Sequence, residues 1–354
     1  MLDTALVLLV VAGLLIVVGV TQPLASRLRL PQSVVLAAVG IAIGILPAVT
    51  AKLGFSHSVD VAAGLFANLP VNSSIFIYVF LPLLVFEAGI ATDVRRTIED
   101  AAAILLLAVV ATLVTAAAIG VALWPFVQFS LVVCLLLGSI VATTDPAAVI
   151  AVFRDVGAPR RLTWLVAGEA LLNDAAAIAL FILLLGIIEA GREPSAIEGL
   201  SEFTVLFFGG GILGFFAGRL LLWVMRHVSG DRLAEATLTL AFAYLSFIAA
   251  ERLVHVSGVV AVLAAGLTIS ALGPSRIAPE NWTFLSDLWE QIAFLGPIVD
   301  LCTGLDPGSA SPDRYRLVGS VSLGGADRGG FRGENFRVVR AVAAARAARL
   351  RPEH

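Results

Sequence analysis

Gly138 to Phe181 reads GSIVATTDPAAVIAVFRDVGAPRRLTWLVAGEALLNDAAAIALF. Three carboxylates and one carboxamide (Asp145, Glu169, Asn173 and Asp174) stand here among residues that otherwise suit a bilayer interior. Ionisable side chains inside a membrane are expensive, and they mark ion or proton pathways by default. The remaining chain is read by whether it supports such a site.

The composition places the protein in a membrane. Its 354 residues are 59% hydrophobic and 14% charged, with a mean hydropathy of +0.98. A soluble domain would be about half apolar and about a quarter charged. Apolar stretches near the length of a spanning helix recur from Leu2 to Leu272, so the reading is an all-α polytopic membrane protein in contact with the lipid bilayer. The net charge of −3 decides little, since the split of charge between loops matters more. Cys134 and Cys302 form no disulfide framework and no metal-ligand spacing, and the four His are scattered. No nucleic-acid partner and no cofactor is expected. The first apolar run has no basic stretch before it and no small-residue cleavage site after it, so it reads as a retained helix.

Spans are expected at about 3–20, 33–49, 74–92, 101–123, 129–152, 162–188, 202–225, 233–250 and 255–272, with a tenth starting near Trp289. Arg27, Arg29, Arg95, Arg96, Arg154, Arg160, Arg161, Arg226, Arg232 and Arg276 follow the odd-numbered spans. The alternate loops hold only Lys52, Arg192 and Arg252. By the positive-inside rule the arginine-rich loops are cytoplasmic and the N-terminus lies outside.

Three spans carry polar chemistry. Span three contains Glu87 about two turns before Arg95 and Arg96, roughly 8–12 Å along the axis. Glu87 either packs against a neighbouring helix near the interface or faces a water-filled cavity; a lipid-facing Glu is disfavoured. Span five contains Thr143-Thr144-Asp145-Pro146 between two apolar runs. Proline suits the first turn of a helix and Thr or Asp before it suits a cap, so the motif either simply caps a new segment or interrupts the span at depth. An interrupted helix in a membrane must be buried or line a cavity, and in transporters it supplies oxygens to ions. Thr144 and Asp145 would then offer the oxygens that Na⁺ prefers. In span six Glu169 and Asn173 share a face, while Ala170 and Asp174 lie on a face turned by about 100°. Asn173 either joins a purely structural hydrogen-bonded knot or steadies the broken helix by bonding to a carboxylate on span five.

Elsewhere the signals are weaker. Gly209, Gly210, Gly211, Gly214 and Gly218 give span seven a small-residue face for close packing. Glu251, Arg252 and His255 read as a solvated loop at the outer end of spans eight and nine. From Gly296 onward the chain is rich in Gly, Arg, Ser and Asp and expected to be disordered. The division is thus 1–295 membrane domain and 296–354 tail. The abrupt change after a normal helix start at Trp289–Phe294, in a chain with Lys52 as its only lysine, suggests a truncation or frameshift.

Four stretches carry a resemblance: LPLLVFEAGIATDVRR (81–96), ATTDPAAVIAVFRDVGAPRRL (142–162), GEALLNDAAAIALF (168–181) and HVSGVVAVLAAGL (255–267). In this order and spacing the chain resembles a bacterial sodium/proton exchanger of the monovalent cation:proton antiporter superfamily, on the NhaP- and NHE-type branch. The resemblance implies an NhaA-like antiporter fold with a discontinuous helix at Thr143–Pro146, whose second inverted repeat is here incomplete. It implies exchange of Na⁺, Li⁺ or K⁺ for H⁺ by alternating access in the plasma (inner) membrane, serving pH and sodium homeostasis, by a homodimer when complete. Asp174 would be the carboxylate that takes Na⁺ or H⁺ in turn, and Thr144 and Asp145 would belong to the unwound crossing beside the ion. Asn173 matches the family's Asn-Asp pair, which goes with electroneutral exchange; Glu169 and Glu87 match the acids one turn earlier and on span three. Ala170 departs from the Ser often found there. Two rivals remain. One is a shortened chain that inserts but moves no ions. The other is an intramembrane aspartyl protease using Asp145 and Asp174, whose Tyr-Asp and Gly-x-Gly-Asp signatures are both missing.

Overall fold

A computed structural model describes residues 4–28, 34–36, 38–42, 76–94, 100–144, 146, 149–150, 152–153, 156–192, 195–228 and 231–293. The chain divides into two units, 1–76 with 294–354, and 77–293. In the first unit, α1 (Thr4–Leu28) is an apolar helix whose Thr21 hydroxyl donates to the Val18 carbonyl, which satisfies a buried polar group within the helix itself. Helical residues follow at 34–36 and 38–42. The proposed division at 295/296, the tail and Cys302 lie outside the described residues.

The second unit is a helical bundle. A π-helical turn (Phe76–Phe80) leads into α2 (Leu81–Ala91), followed by α3 (Ala101–Leu123), α4 (Leu131–Val141), α5 (Arg160–Ala190) and α6 (Ala196–Val228). Then come α7 (Arg232–Ile248), α8 (Gly258–Leu272) and α9 (Pro279–Ala293). No strand occurs among the described residues. Five helical segments among them are long and apolar enough to cross a membrane: Ala101–Leu123, Arg160–Ala190, Ala196–Val228, Arg232–Val254 and Gly258–Ser275.

Lipid tails are as apolar as leucine, so burying apolar surface does not drive such helices together; close packing does. The sequence supplies it through small residues at one-turn spacing. Gly210, Gly214 and Gly218 form the buried face of α6, and a Cβ on Gly214 would run into the Ala261 carbonyl of α8. Gly209 and Gly211 stand beside this seam and are only partly buried. Across the other side of α8, a Cβ on Gly266 would come within 2.7 Å of the Phe86 carbonyl of α2. Helix α8 is accordingly the most enclosed of the five spanning segments. Helices α3, α4 and α5 pack on one another, and α5 also touches α6 and α8.

The structure departs from the sequence reading at two places. The helix at the place of the expected tenth span, α9, starts at Pro279, not near Trp289, which lies close to its end. Its residues PENWTFLSDLWEQIA alternate polar and apolar faces; the apolar side buries Leu285 and Trp289, and the mixed composition hid it from a search for apolar runs. The Glu251–Arg252 stretch is helical rather than a loop, although Arg252 and His255 are exposed. It continues α7 as a π-helical turn (Ala249–Val254), closed by His255 in the left-handed conformation at φ 60°. Arg252 there packs over the Tyr78 ring at 5.8 Å and donates to its hydroxyl at 3.4 Å.

Candidate functional site

Helix α4 stops at Val141, and Ala142, Thr143, Thr144 and Pro146 are not helical. Helical bonding resumes where the Ile150 N–H donates to the Pro146 carbonyl at 2.8 Å. The local cause is in the residues: proline has no N–H to give the preceding turn and disfavours helical geometry in the residue before it, yet fits the start of a helix. The interruption leaves backbone oxygens and N–H groups that need partners.

Asn173 of α5 meets this need. It is buried, at 1% exposure, and its Nδ2 donates to the Ala142 carbonyl at 3.2 Å and to the Thr144 hydroxyl oxygen at 3.1 Å. A carbonyl can only accept, so the amide must turn its nitrogen toward Ala142. Its Oδ1 then faces α3, where the Thr112 hydroxyl donates to it at 2.5 Å. One side chain thus ties three elements together. The sequence reading expected Asn173 to bond to a carboxylate on the interrupted span; the described partners are a carbonyl and a hydroxyl there and a second hydroxyl on α3. Asp145 lies outside the described residues.

The rest of the α5 motif distributes around the helix as its 3.6-residue period dictates. Ala170 is buried, Glu169 is half-buried, and Asp174 is exposed. The two acids and the amide therefore do not converge on one point: Asn173 faces the packed interior, while Asp174 stands on the adjoining open sector. Glu87 sits elsewhere. It lines a cavity of about 610 Å³ with Asp93, Ser270, Trp282 and Glu290, at the ends of α2 and α8 and along α9. None of Asn173, Asp174, Thr144 and Glu169 lines that cavity.

Thr112 is the residue that sequence reasoning missed. A threonine in AVVATLVTAA gives no signal of its own, because its hydroxyl can turn to the carbonyl one turn back, here that of Ala108 at 2.7 Å. The available hint was its place on a buried one-turn stripe with Ile104, Ala108, Ala116 and Gly120, where it is the polar member. A second link between α3 and α5 lies near their first residues. Arg161 donates to both carboxylate oxygens of Asp100, at 2.9 and 2.5 Å. These guanidinium hydrogen bonds hold the Asp100 carboxyl below its ordinary range.

Comparison with known proteins gives the family and the fold. Residues 11–306 match the family of transmembrane sodium/hydrogen exchangers. The chain is 36% identical over 241 residues to the Na(+)/H(+) antiporter ApNhaP of Aphanothece halophytica, covering 66% of this chain and 45% of that protein. It is 32% identical to the Na(+)/H(+) antiporter NhaS2 of Synechocystis, covering 68% of this chain and 44% of that one. The chain thus spans less than half the length of these relatives. The solved sodium proton antiporter MjNhaP1 of Methanocaldococcus jannaschii superposes with a TM-score of 0.66 at 17% identity, covering 85% of this chain and 71% of that one. The likeness shows the same antiporter fold in a multi-pass membrane protein. With a family match over residues 11–306, most of its length, the chain belongs to the transmembrane sodium/hydrogen exchanger family.

Proposed function

We propose that the chain exchanges Na⁺ for H⁺ across the plasma membrane by alternating access, with its N-terminus outside and as a homodimer, and so serves pH and sodium homeostasis. The observation that carries this reading is the tie from Asn173 to the non-helical stretch after α4, which holds Ala142 and Thr144 beside the helix bearing Asp174. Non-helical backbone in a spanning segment is tolerated where it lines a cavity, and half-helix ends with freed carbonyls suit a small hard cation.

Asp174 is the group that takes Na⁺ or H⁺, and Thr144 and Asp145 supply further oxygens. A single carboxylate can bind a proton or a cation but not both, so the two ions compete for it. If the empty, charged carrier reorients poorly, each turnover must carry one ion out and the other in. Asn173 adds no titratable proton, so one charge moves each way and the cycle is electroneutral. Glu169, one turn earlier, and Glu87, in its acidic cavity, would add negative charge that draws cations toward the protein. No resident cofactor enters this scheme; Na⁺ and H⁺ are its substrates.

The test is reconstitution of the whole chain in proteoliposomes with a pH dye inside. An imposed Na⁺ gradient should drive proton movement that is insensitive to a clamped membrane potential. Asp174→Asn should abolish it. Flux by the variant near that of the unaltered chain would refute the role of Asp174, and no flux from the unaltered chain would refute the reading itself.

A further inference from the structure

We infer that Thr112 is a positioning residue for the ion site, acting through Asn173 on the Ala142–Thr144 segment; the inference rests on the exchange reading above. Thr112 is fully buried on α3, a helix that carries none of the acidic motif residues. Its single hydroxyl proton has two acceptors in reach, the Ala108 carbonyl at 2.7 Å and Asn173 Oδ1 at 2.5 Å. The helix does not need that bond, since an alanine or valine would serve α3 equally well. Asn173 does need it. Its nitrogen is committed to Ala142 and Thr144, so its oxygen must accept, and among the described residues Thr112 is the donor that reaches it.

Removing the hydroxyl leaves a buried amide oxygen without a donor, which is costly. The carboxamide then rotates to find one, and its nitrogen leaves the Ala142 carbonyl and the Thr144 hydroxyl. The segment it held loses its fixed place. Ion-binding oxygens on that segment are no longer set at one distance, so cation affinity falls. Asp174, the carboxylate of the exchange reading, lies on another sector of α5 and is not itself altered by the substitution. The signature is therefore a loss in Na⁺ affinity with a smaller loss in maximal rate.

Two arms test this on the full chain in lipid. In hydrogen–deuterium exchange, Thr112→Val should speed exchange of the amides at 142–150 about tenfold while α8 keeps its protection; tenfold corresponds to about 1.4 kcal/mol. In proteoliposomes, Thr112→Val should raise the half-saturating Na⁺ concentration about tenfold, with maximal rate changed by less than about twofold. Thr112→Ser, which keeps the hydroxyl and drops the methyl, should restore both readouts. Unchanged exchange at 142–150, equal acceleration throughout α8, or failure of Ser to rescue would overturn the inference. Should the unaltered chain carry no sodium, the exchange reading fails while the deuterium arm still decides whether Thr112 holds the segment.

Discussion

Asn173 differs from a carboxylate in having one end that donates and one that accepts, and its site uses both. The Ala142 carbonyl cannot donate, and the Thr112 hydroxyl is placed to donate. An aspartate would set an acceptor against an acceptor at Ala142. The amide is thus required by its surroundings as much as by the charge count of the transport cycle. Asn173→Ala should strip the Ala142 carbonyl and Thr144 hydroxyl of their partner at once. The expected cost is about 1–3 kcal/mol, read as a lower unfolding midpoint of the protein in detergent. An unaltered midpoint would mean that water replaces the amide without loss. Asp174 and Asn173 were both plain in the sequence. Their opposite surroundings were not, because the rotation of α5 that buries one and exposes the other is set by what packs against it.

At the scale of elements, α3 and α5 are tied at two points with the same spacing. Asp100 pairs with Arg161 and Thr112 with Asn173, each pair 61 residues apart. Both partners advance by 12 residues between the ties, so the two helices run in the same direction, in register over roughly 18 Å. The outer tie is exposed and the inner one buried. Because Arg161 holds Asp100 below its usual carboxylate range, the pair stabilises the fold above the unfolded Asp value near ~3.9, and this part is lost as pH falls through the lower folded value. Asp100→Asn should therefore lower the melting midpoint at pH 6–7 in low salt by no more than a few degrees, and the difference should shrink steadily as the pH is taken below the unfolded Asp value and on through the lower folded one. Added salt should shrink it as well. A difference that persists at acid pH would assign the effect to packing. Neither pairing was legible in advance, since both join residues 61 positions apart and no local pattern names the partner.

The whole molecule is governed by a bilayer that forbids unpaired backbone and sorts loop charge. Arginines cluster after α4 and at the start of α5, whereas the α5–α6 connection carries Arg192 alone, paired with Glu202 at 2.8 Å. The orientation rule then puts the α5–α6 connection outside. Single cysteines introduced at Ser195 and at Gly157, with Cys134 and Cys302 replaced, test it in intact cells. An impermeant maleimide should label position 195 and not position 157; the reverse pattern would invert the topology. The amphipathic α9 shows the limit of hydropathy at this scale. It is held by polar ties that no apolar search detects, Asn281 to Glu235 at 3.0 Å and Trp289 Nε1 to the Thr239 hydroxyl at 3.0 Å, with Trp289 also against Phe86.

Taken by itself, the sequence determined the membrane class, the all-helical build, the end of α4 ahead of Pro146 and the α5 motif, because each depends on neighbours within a few turns: hydropathy, proline's missing N–H and helical spacing. Tertiary structure alone decided that Asn173 bonds to Thr112, Ala142 and Thr144, that Asp174 stays exposed, and that Glu87 opens into a cavity away from them. Those outcomes follow from how helices rotate and approach, and in lipid that is fixed by small residues such as Gly214 and Gly266 and by a few buried hydrogen bonds. Such contacts join positions far apart in the chain, so no local pattern records them.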